Sequence, residues 1–523
     1  MGLLSHRNAE RALEHQLEKV SVKDVMDAGE FYLEPSASIY ELENLMVESS
    51  WGQIPIVDSQ QKIIGIVTRT DLIKHWAAKH PQKIKEQPKL YIDDIQAVLG
   101  VDNAEIIQKI AEQARQKHKK MYLVGGSVRD ILLKEANIDL DFVIEGDAIA
   151  FAESLCEKYG GEIHAYHPFG TAKWFFSAEA LLGKAAADIE ASPSHIDFAT
   201  ARNEFYQHPT ALPTVYNSSI KLDLYRRDFT INTLAVQVSP EESAWRILDY
   251  YGGLHDLQQG IIRVLHSLSF VDDPTRILRA VRFSERLHFK IEQRTKELMQ
   301  MALPMMRRIT GERVRNEISL LLAEPKPEMA LKELHDMGVL EAIFKGFVWG
   351  EENEQVFIRE RQQKAPFVDQ EMDLILLRWH FIMARLAPEK AYELGERLLF
   401  GKPKAKSFMQ VAEALAHLEA HFAKKKASDF LKLLDSLSAE AMLCIWYFHM
   451  KDGIGKLIEQ FYTEWKAIKP AITGTQLKAM GLPEGPLYSQ ILAAIKAAYI
   501  DGEIQNAEEE NLFLTQWIQD HHD

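Results

Sequence analysis

The period of the apolar residues changes once along this chain, near Tyr250, and that change bounds the fold. From Met121 to about Val238, strand-like runs alternate with helical ones: MYLVGG, DLDFVIEG, GEIHAYH, TAKWFF and HIDFATAR. Strands that recur between helices predict an α/β domain. Beyond Tyr250, apolar residues recur every three or four positions with few β-branched clusters, which predicts an all-α C-terminal half. A Gly- and Pro-broken stretch, Lys469–Gln490, sets a further boundary near 468. With 523 residues, several domains are expected. The expected organisation is an α+β unit over 1–85, a helical connector over 86–118, and an α/β domain with a mixed or antiparallel sheet over 119–250. Helical segments follow over 251–325, 326–467 and 468–523.

Composition excludes several classes. No apolar run reaches membrane-spanning length, and the opening MGLLSHRNAERALEHQ is polar, so no signal peptide, no membrane and a cytoplasmic location are expected. Cys156 and Cys444 are far apart, which argues for a reducing compartment and against a zinc site. The net charge of −15 means that any nucleic acid must be held by local basic patches and shape. Two lysine clusters are candidates for RNA: Lys402, Lys404 and Lys406, and Lys424, Lys425 and Lys426. Solvated helix ends would explain the same residues.

NIDLDFVIEG places Asp139 and Asp141 two residues apart in an apolar run. In a strand they share one face, while Ile138, Leu140 and Phe142 take the other. Like charges that close repel unless a cation lies between them, and Mg²⁺ favours one or two carboxylates plus phosphate oxygens. Two solvated acids at a strand end are the alternative. Just upstream, LVGGSVRDILL reads as a strand ending in Gly125 and Gly126, with a helix opening at Ser127. Glycines let the backbone approach phosphates, and a helix start offers free N–H groups. Arg129 in the first turn could reach the same phosphates. In YRRDFTIN, Arg227 could clamp a triphosphate and Asp228 could accept a ribose hydroxyl; Asn232, which closes the motif, is a further nucleotide-binding candidate.

VDDPTRILRAVRF, Val271–Phe283, is the most informative stretch. Pro274 suits a first helical turn, with Asp272 or Asp273 near the cap. Arg276, Arg279 and Arg282 recur every three residues and share a face, opposite Ile277, Leu278, Ala280 and Val281. A basic solvated face is one reading. The sharper one pairs Asp273 with an exocyclic amino group and Arg276 with the adjacent ring nitrogen. Cytosine and adenine both fit; uracil and guanine would leave the Asp unpaired.

In this order the motifs resemble the class II nucleotidyltransferases, which comprise bacterial tRNA CCA-adding enzymes and poly(A) polymerases. The resemblance covers about residues 118–523 and includes YGGLHDL (Tyr251–Leu257) and ERVRNEISLLL (Glu312–Leu322). It implies a palm-like catalytic domain, a helical neck that reads the base, and a helical body and tail that hold tRNA. It implies Mg²⁺ on Asp139 and Asp141, phosphates near Gly126, Arg129 and Arg227, and base and triphosphate near Asp273, Arg276, Arg279 and Arg282. Asp272 stands where the family usually has Glu. HPFGTAKWFF (His167–Phe176) replaces the basic segment of poly(A) polymerases and looks like the tRNA-specific branch. Asp197, in a loop-flanked stretch similar to that of CCA-type enzymes, is a candidate third acid, as is Asp228. The implied activity is addition of CMP, AMP or both, from CTP and ATP, to the 3′ end of tRNA. CC-only or A-only addition, poly(A) synthesis, and a non-catalytic nucleotide-sensing RNA-binding protein are the alternatives.

Residues 21–80 resemble one CBS motif through VKDVM, IPIVD and Gly65–Asp71. The resemblance implies a nucleotide ligand near Thr68 and Asp71. CBS motifs work in pairs and only one is visible here, so a homodimer could supply the second.

Overall fold

The structure, a computed structural model, describes residues 2–3, 21–28, 31–49, 51, 53–68, 71–72, 88–136, 139–189, 191–205, 214–241, 244–367, 372–422, 426–483 and 485–521. It divides into two compact units, Met1–Ile309 and Thr310–Asp523.

The first unit opens with the α+β element. Helix α1 (Ile39–Ser49) starts in a reciprocal cap: the Glu41 carboxylate accepts from the Ser38 N–H at 2.6 Å, and Ser38 Oγ accepts from the Glu41 N–H at 3.2 Å. Strands β1 (Gln53–Val57) and β2 (Ile63–Thr68) pair antiparallel. Of the expected connector, the described residues 88–118 are largely helical, as α2 (Ile92–Leu99) and α3 (Val101–Gln116), yet they are no free spacer. Ile106, Ile107, Ile110, Ala111 and Ala114 form one buried stripe, and α3 packs on the sheet that follows.

That sheet has seven strands: β3 (Lys120–Val124), β4 (Asp141–Glu145), β5 (Glu162–Tyr166), β6 (Thr171–Phe175), β7 (His195–Thr200), β8 (Ala235–Ser239) and β9 (Ile247–Leu248). Their order is β9-β8-β3-β4-β7-β6-β5. Only β4 and β7 run parallel; the other neighbours are antiparallel, so the sheet is mixed. Alternation fixes its two faces. Phe142 and Phe198 stack beneath helix α5 (Ala148–Tyr159), whose Phe151 packs edge-on against Phe198. Tyr122, Val124, Val143 and Ala235 face the other way, into a core with Leu224, Tyr225 and Tyr251.

Helix α4 (Gly126–Leu133) springs from the end of β3. Beyond the sheet come α6 (Ser269–Asp272), α7 (Thr275–Leu287) and α8 (Gln293–Ala302). Helix α7 buries Ile277, Leu278, Ala280 and Val281 and stops at His288, which is left-handed at φ +55°.

The second unit contains no β-strand among its described residues. Trp379, Phe381, Phe344, Phe357 and Phe408 are fully buried in its core. Ile472, Leu477, Ile491, Ile495 and Leu514 form a separate apolar cluster near its end. Buried Glu510 closes that cluster by accepting from the N–H groups of Ala471 and Ile472 and from the Tyr499 hydroxyl. No described helix is long and apolar enough to cross a membrane.

Candidate active site

Gly125 has φ +65°, and a Cβ there would stand 2.5 Å from Nη1 of Arg227. The turn therefore has no room for a side chain at Gly125, because the guanidinium lies against it. Arg227 Nη2 reaches Asp223 at 3.3 Å, while its Nε is buried with no hydrogen-bond partner among the described residues. A buried N–H without a partner is costly, and an anion in the turn would satisfy it. Asp223 also binds Arg226, at 2.9 and 2.7 Å. Burial would raise the Asp223 carboxyl, but Arg226 and Arg227 outweigh it and hold the group below the usual carboxylate range.

The acids sit beside this turn. Asp139 lies just outside strand β4, which starts at Asp141; its carbonyl accepts the Ser127 hydroxyl (2.8 Å) rather than a strand neighbour. Ser127 Oγ in turn accepts the Asp141 N–H at 3.1 Å. One serine at the helix start thus fixes both acids. The strand reading of the D-x-D pair holds for Asp141 only. Asp141 is in register with Asp197 on β7, and Asp197 with Lys173 on β6. Lys173 Nζ is 3.3 Å from Asp197 Oδ2 and 2.9 Å from His195 Nε2. Burial pushes the Asp141 carboxyl up, Asp197 and Asp139 add to this, and Arg227 and Lys173 oppose it, leaving it at about 6. Hard oxygen donors short of positive charge suit a divalent cation. Among the described residues no three candidate ligands form a ready-made cage, so substrate oxygens and water would complete the shell.

Arg129 borders this turn, its Nη2 3.7 Å from where a Cβ on Gly126 would stand, but its guanidinium is engaged inside the protein. It is buried, bound to Asp130 (2.7 and 2.6 Å) and to Asn232 Oδ1 (2.7 Å), and lies over Phe283. Asn232 donates to Asp228 Oδ1 at 2.9 Å, and Asp228 Oδ2 takes Arg279. The chain Arg129–Asn232–Asp228–Arg279 ties α4 to α7. Burial works against the Asp228 charge, but Arg279, Asn232 and Arg276 hold its carboxyl well below the usual range. Its oxygens are taken up inside the protein, where a ribose contact was expected.

The three arginines of α7 do different work. Arg276 is buried, donating to Ser269 Oγ and to the Arg226 carbonyl, each at 2.7 Å. Arg279 holds Asp228, and Arg282 lies buried over Phe283. Asp273 caps the helix by accepting from the N–H (3.1 Å) and hydroxyl (2.6 Å) of Thr275. Four residues escaped the sequence reading: Ser127, Lys173, Asp223 and Ser269. Asp223 alone carried a signal, standing three and four residues before Arg226 and Arg227 on a helical turn.

Outside this cluster, Lys402, Lys404 and Lys406 are exposed at the start of the helix Lys402–Phe422. Lys426 pairs with Glu503, and Lys424 and Lys425 lie outside the described residues. The Thr68 N–H and hydroxyl both donate to Asp71 Oδ2, at 2.9 and 2.7 Å. Asp71 lines a cavity of about 340 Å³ with Leu33, Ser38, Leu42, Ile56 and Val67.

Three family models match the chain: the poly A polymerase head domain at residues 121–263, the probable RNA and SrmB-binding site of polymerase A at 288–349, and the CBS domain at 22–78. The A-adding tRNA nucleotidyltransferase of Geobacter sulfurreducens is 30% identical over 97% of this chain, which spans 59% of that protein's length. The enzyme of the same name from Halalkalibacterium halodurans is 29% identical, over 82% of this chain and 95% of its own. A solved CCA-adding enzyme, apo form II, is 30% identical with a TM-score of 0.64, covering 79% of this chain and 95% of its own. The chain belongs to the family of tRNA nucleotidyltransferases and poly(A) polymerases, with a CBS domain ahead of its catalytic head.

Proposed function

We propose that this chain transfers AMP from ATP to the 3′ end of tRNA without a nucleic-acid template. The observation that carries the reading is the seating of Asp139 and Asp141 by Ser127 beside the Gly125 turn, against the unsatisfied Arg227. The choice of AMP is supported by the two A-adding relatives.

In this reading the terminal 3′-hydroxyl attacks the α-phosphate in line. The new P–O bond forms as the bond to the bridging oxygen breaks, and pyrophosphate leaves with the electron pair. Arg227 and the backbone at Gly125 and Gly126 hold the departing phosphates. Asp139 and Asp141 are the residues that would hold Mg²⁺, which when bound neutralises developing charge and lowers the pKa of the attacking hydroxyl. Asp197, next in register, is the third acid. Asp273 and Arg276 read the base, with Arg276 oriented by its bond to Ser269. Arg279 and Arg282 act with them from the same helix, Arg279 placed by Asp228. Lys402, Lys404 and Lys406 are the RNA contacts to test in the helical unit.

The test supplies purified protein with Mg²⁺, tRNA transcripts ending at the discriminator base, at C and at CC, and one labelled nucleotide at a time. A single A on the CC-ended transcript is the expected result. Extension of the other transcripts with CTP would make it a CC- or CCA-adding enzyme, and long A tails on any RNA a poly(A) polymerase. No incorporation at all would favour the non-catalytic nucleotide sensor.

A second reading concerns the CBS domain. The cavity bordered by Asp71 supports an adenine-nucleotide site there. Exposed Ile63, Ile64 and Ile66 on β2 support docking of a second copy. A thermal melt with AMP and sedimentation at two concentrations test the two ideas.

A further inference from the structure

The CBS domain does not stand apart from the catalytic machinery. Leu42 and Met46 of α1, with Trp51 and Ile54, form one buried apolar cluster with Leu268 and Val271 at α6. Polar contacts border the cluster. Glu43 Oε1 accepts from the Ser267 hydroxyl at 2.7 Å, and Glu43 Oε2 lies 3.4 Å from Nη2 of Arg294. The Arg294 guanidinium sits over the Tyr40 ring at 5.6 Å.

Helix α6 has four residues, Ser269–Asp272. A single turn cannot hold itself, because nucleation costs more than one turn of hydrogen bonds returns. Its position is therefore set by what it packs on. On one side that is the CBS domain. On the other, Ser269 Oγ accepts from Nη1 of Arg276, and Asp272 and Asp273 continue the chain into α7. Whatever shifts α6 shifts the anchor of Arg276.

From this geometry we infer that the CBS domain is a brace for base selection. Glu43 is a positioning residue that acts through Ser267 and α6 on the aim of Arg276. The inference rests on the reading of Arg276 as a base-reading residue, and the experiment separates the two.

The full-length chain is compared with Glu43→Ala, Glu43→Gln, Ser267→Ala and Arg276→Ala, measuring kcat and KM for ATP, CTP and UTP and KM for tRNA. Glu43→Ala removes both polar contacts; Glu43→Gln keeps an oxygen for Ser267; Ser267→Ala removes the same bond from the other end without a large cavity. Glu43→Ala and Ser267→Ala are expected to raise KM for ATP and to loosen ATP-over-UTP selection by roughly threefold or more. KM for tRNA should stay in place, and Glu43→Gln should keep the parent's selectivity. The double variant Glu43→Ala/Ser267→Ala should be no worse than the more affected single one. Unchanged selectivity in both single variants, with selectivity altered in Arg276→Ala, overturns the brace and leaves the base-reading assignment standing. Unchanged selectivity in Arg276→Ala overturns the assignment and the brace with it.

Discussion

Asp228 and Arg279 meet as a forked ion pair, with Nε and Nη2 of Arg279 at 2.8 and 2.6 Å from the same oxygen, Oδ2 of Asp228. The other oxygen is filled by the Phe229 N–H and by Asn232. The carboxylate is buried; the arginine side chain is 31% exposed. Removing one partner of a buried pair costs about 3–5 kcal/mol, and the partial exposure of Arg279 puts this case at the low end. Asp228→Ala should lower stability by about 3 kcal/mol, and Asp228→Asn, which keeps the shape, by less. Urea melts of the two variants check the order; equal losses would mean that the charge contributes little.

Gly125→Ala tests the turn. The residue would need φ +65° and would put a methyl group 2.5 Å from the Arg227 guanidinium. The end of that side chain can move, so the fold should survive while the phosphate clamp is displaced. The expected loss is in KM for ATP, by about tenfold or more, with a stability cost of about 1–3 kcal/mol from a backbone conformation (φ +65°, ψ −126°) outside the left-handed helical region. A variant with unchanged KM would place the triphosphate elsewhere.

Sequence order alone exposed the Gly-Gly turn, the acids and the arginine helix, because each depends on neighbours within one turn or one strand. What escaped it depends on closure over distance. Arg129 reads as a phosphate ligand from its place in a first helical turn, yet its partner Asn232 comes 103 residues later. Arg276 reads as an exposed donor from its spacing with Arg279, yet Ser269 and the Arg226 carbonyl bury it. The helices over 92–116 look like a connector because their charged face is legible, whereas the sheet that covers their apolar stripe is not. Asp139 falls outside the strand; a serine hydroxyl, not a strand neighbour, takes its carbonyl.

Asp141 joins activity to instability. Its carboxylate is buried beside Asp139 and Asp197, and that surrounding disfavours the charge. Asp139→Ala and Asp141→Asn should each reduce incorporation by about a thousandfold or more, since several kcal/mol of transition-state stabilisation goes with the metal. Binding of tRNA should be little changed, as a filter-binding assay would show. In EDTA, Asp141→Asn should melt higher than the parent, because it removes a repelled charge and keeps the shape. Retained turnover in either variant would sink the assignment of these acids.

His380, in the helical unit, gives a pH dependence of its own. Its ring is fully buried, with Nδ1 2.8 Å from the Leu376 carbonyl and Nε2 2.9 Å from Ser407 Oγ. Those partners fit the neutral ring, with Nδ1–H donating to the carbonyl and Nε2 accepting from the hydroxyl. Burial pulls the group down from 6.5 to about 4. The unfolded chain then binds this proton more readily than the folded one, so stability rises with pH between those values. The contribution is complete above about 6.5, and falls away as pH drops toward 4, by up to about 3 kcal/mol. Urea unfolding should show a steeper loss between pH 7 and pH 5 in the parent than in His380→Gln. Parallel pH profiles for the two proteins would mean that the ring relaxes into water when it is charged.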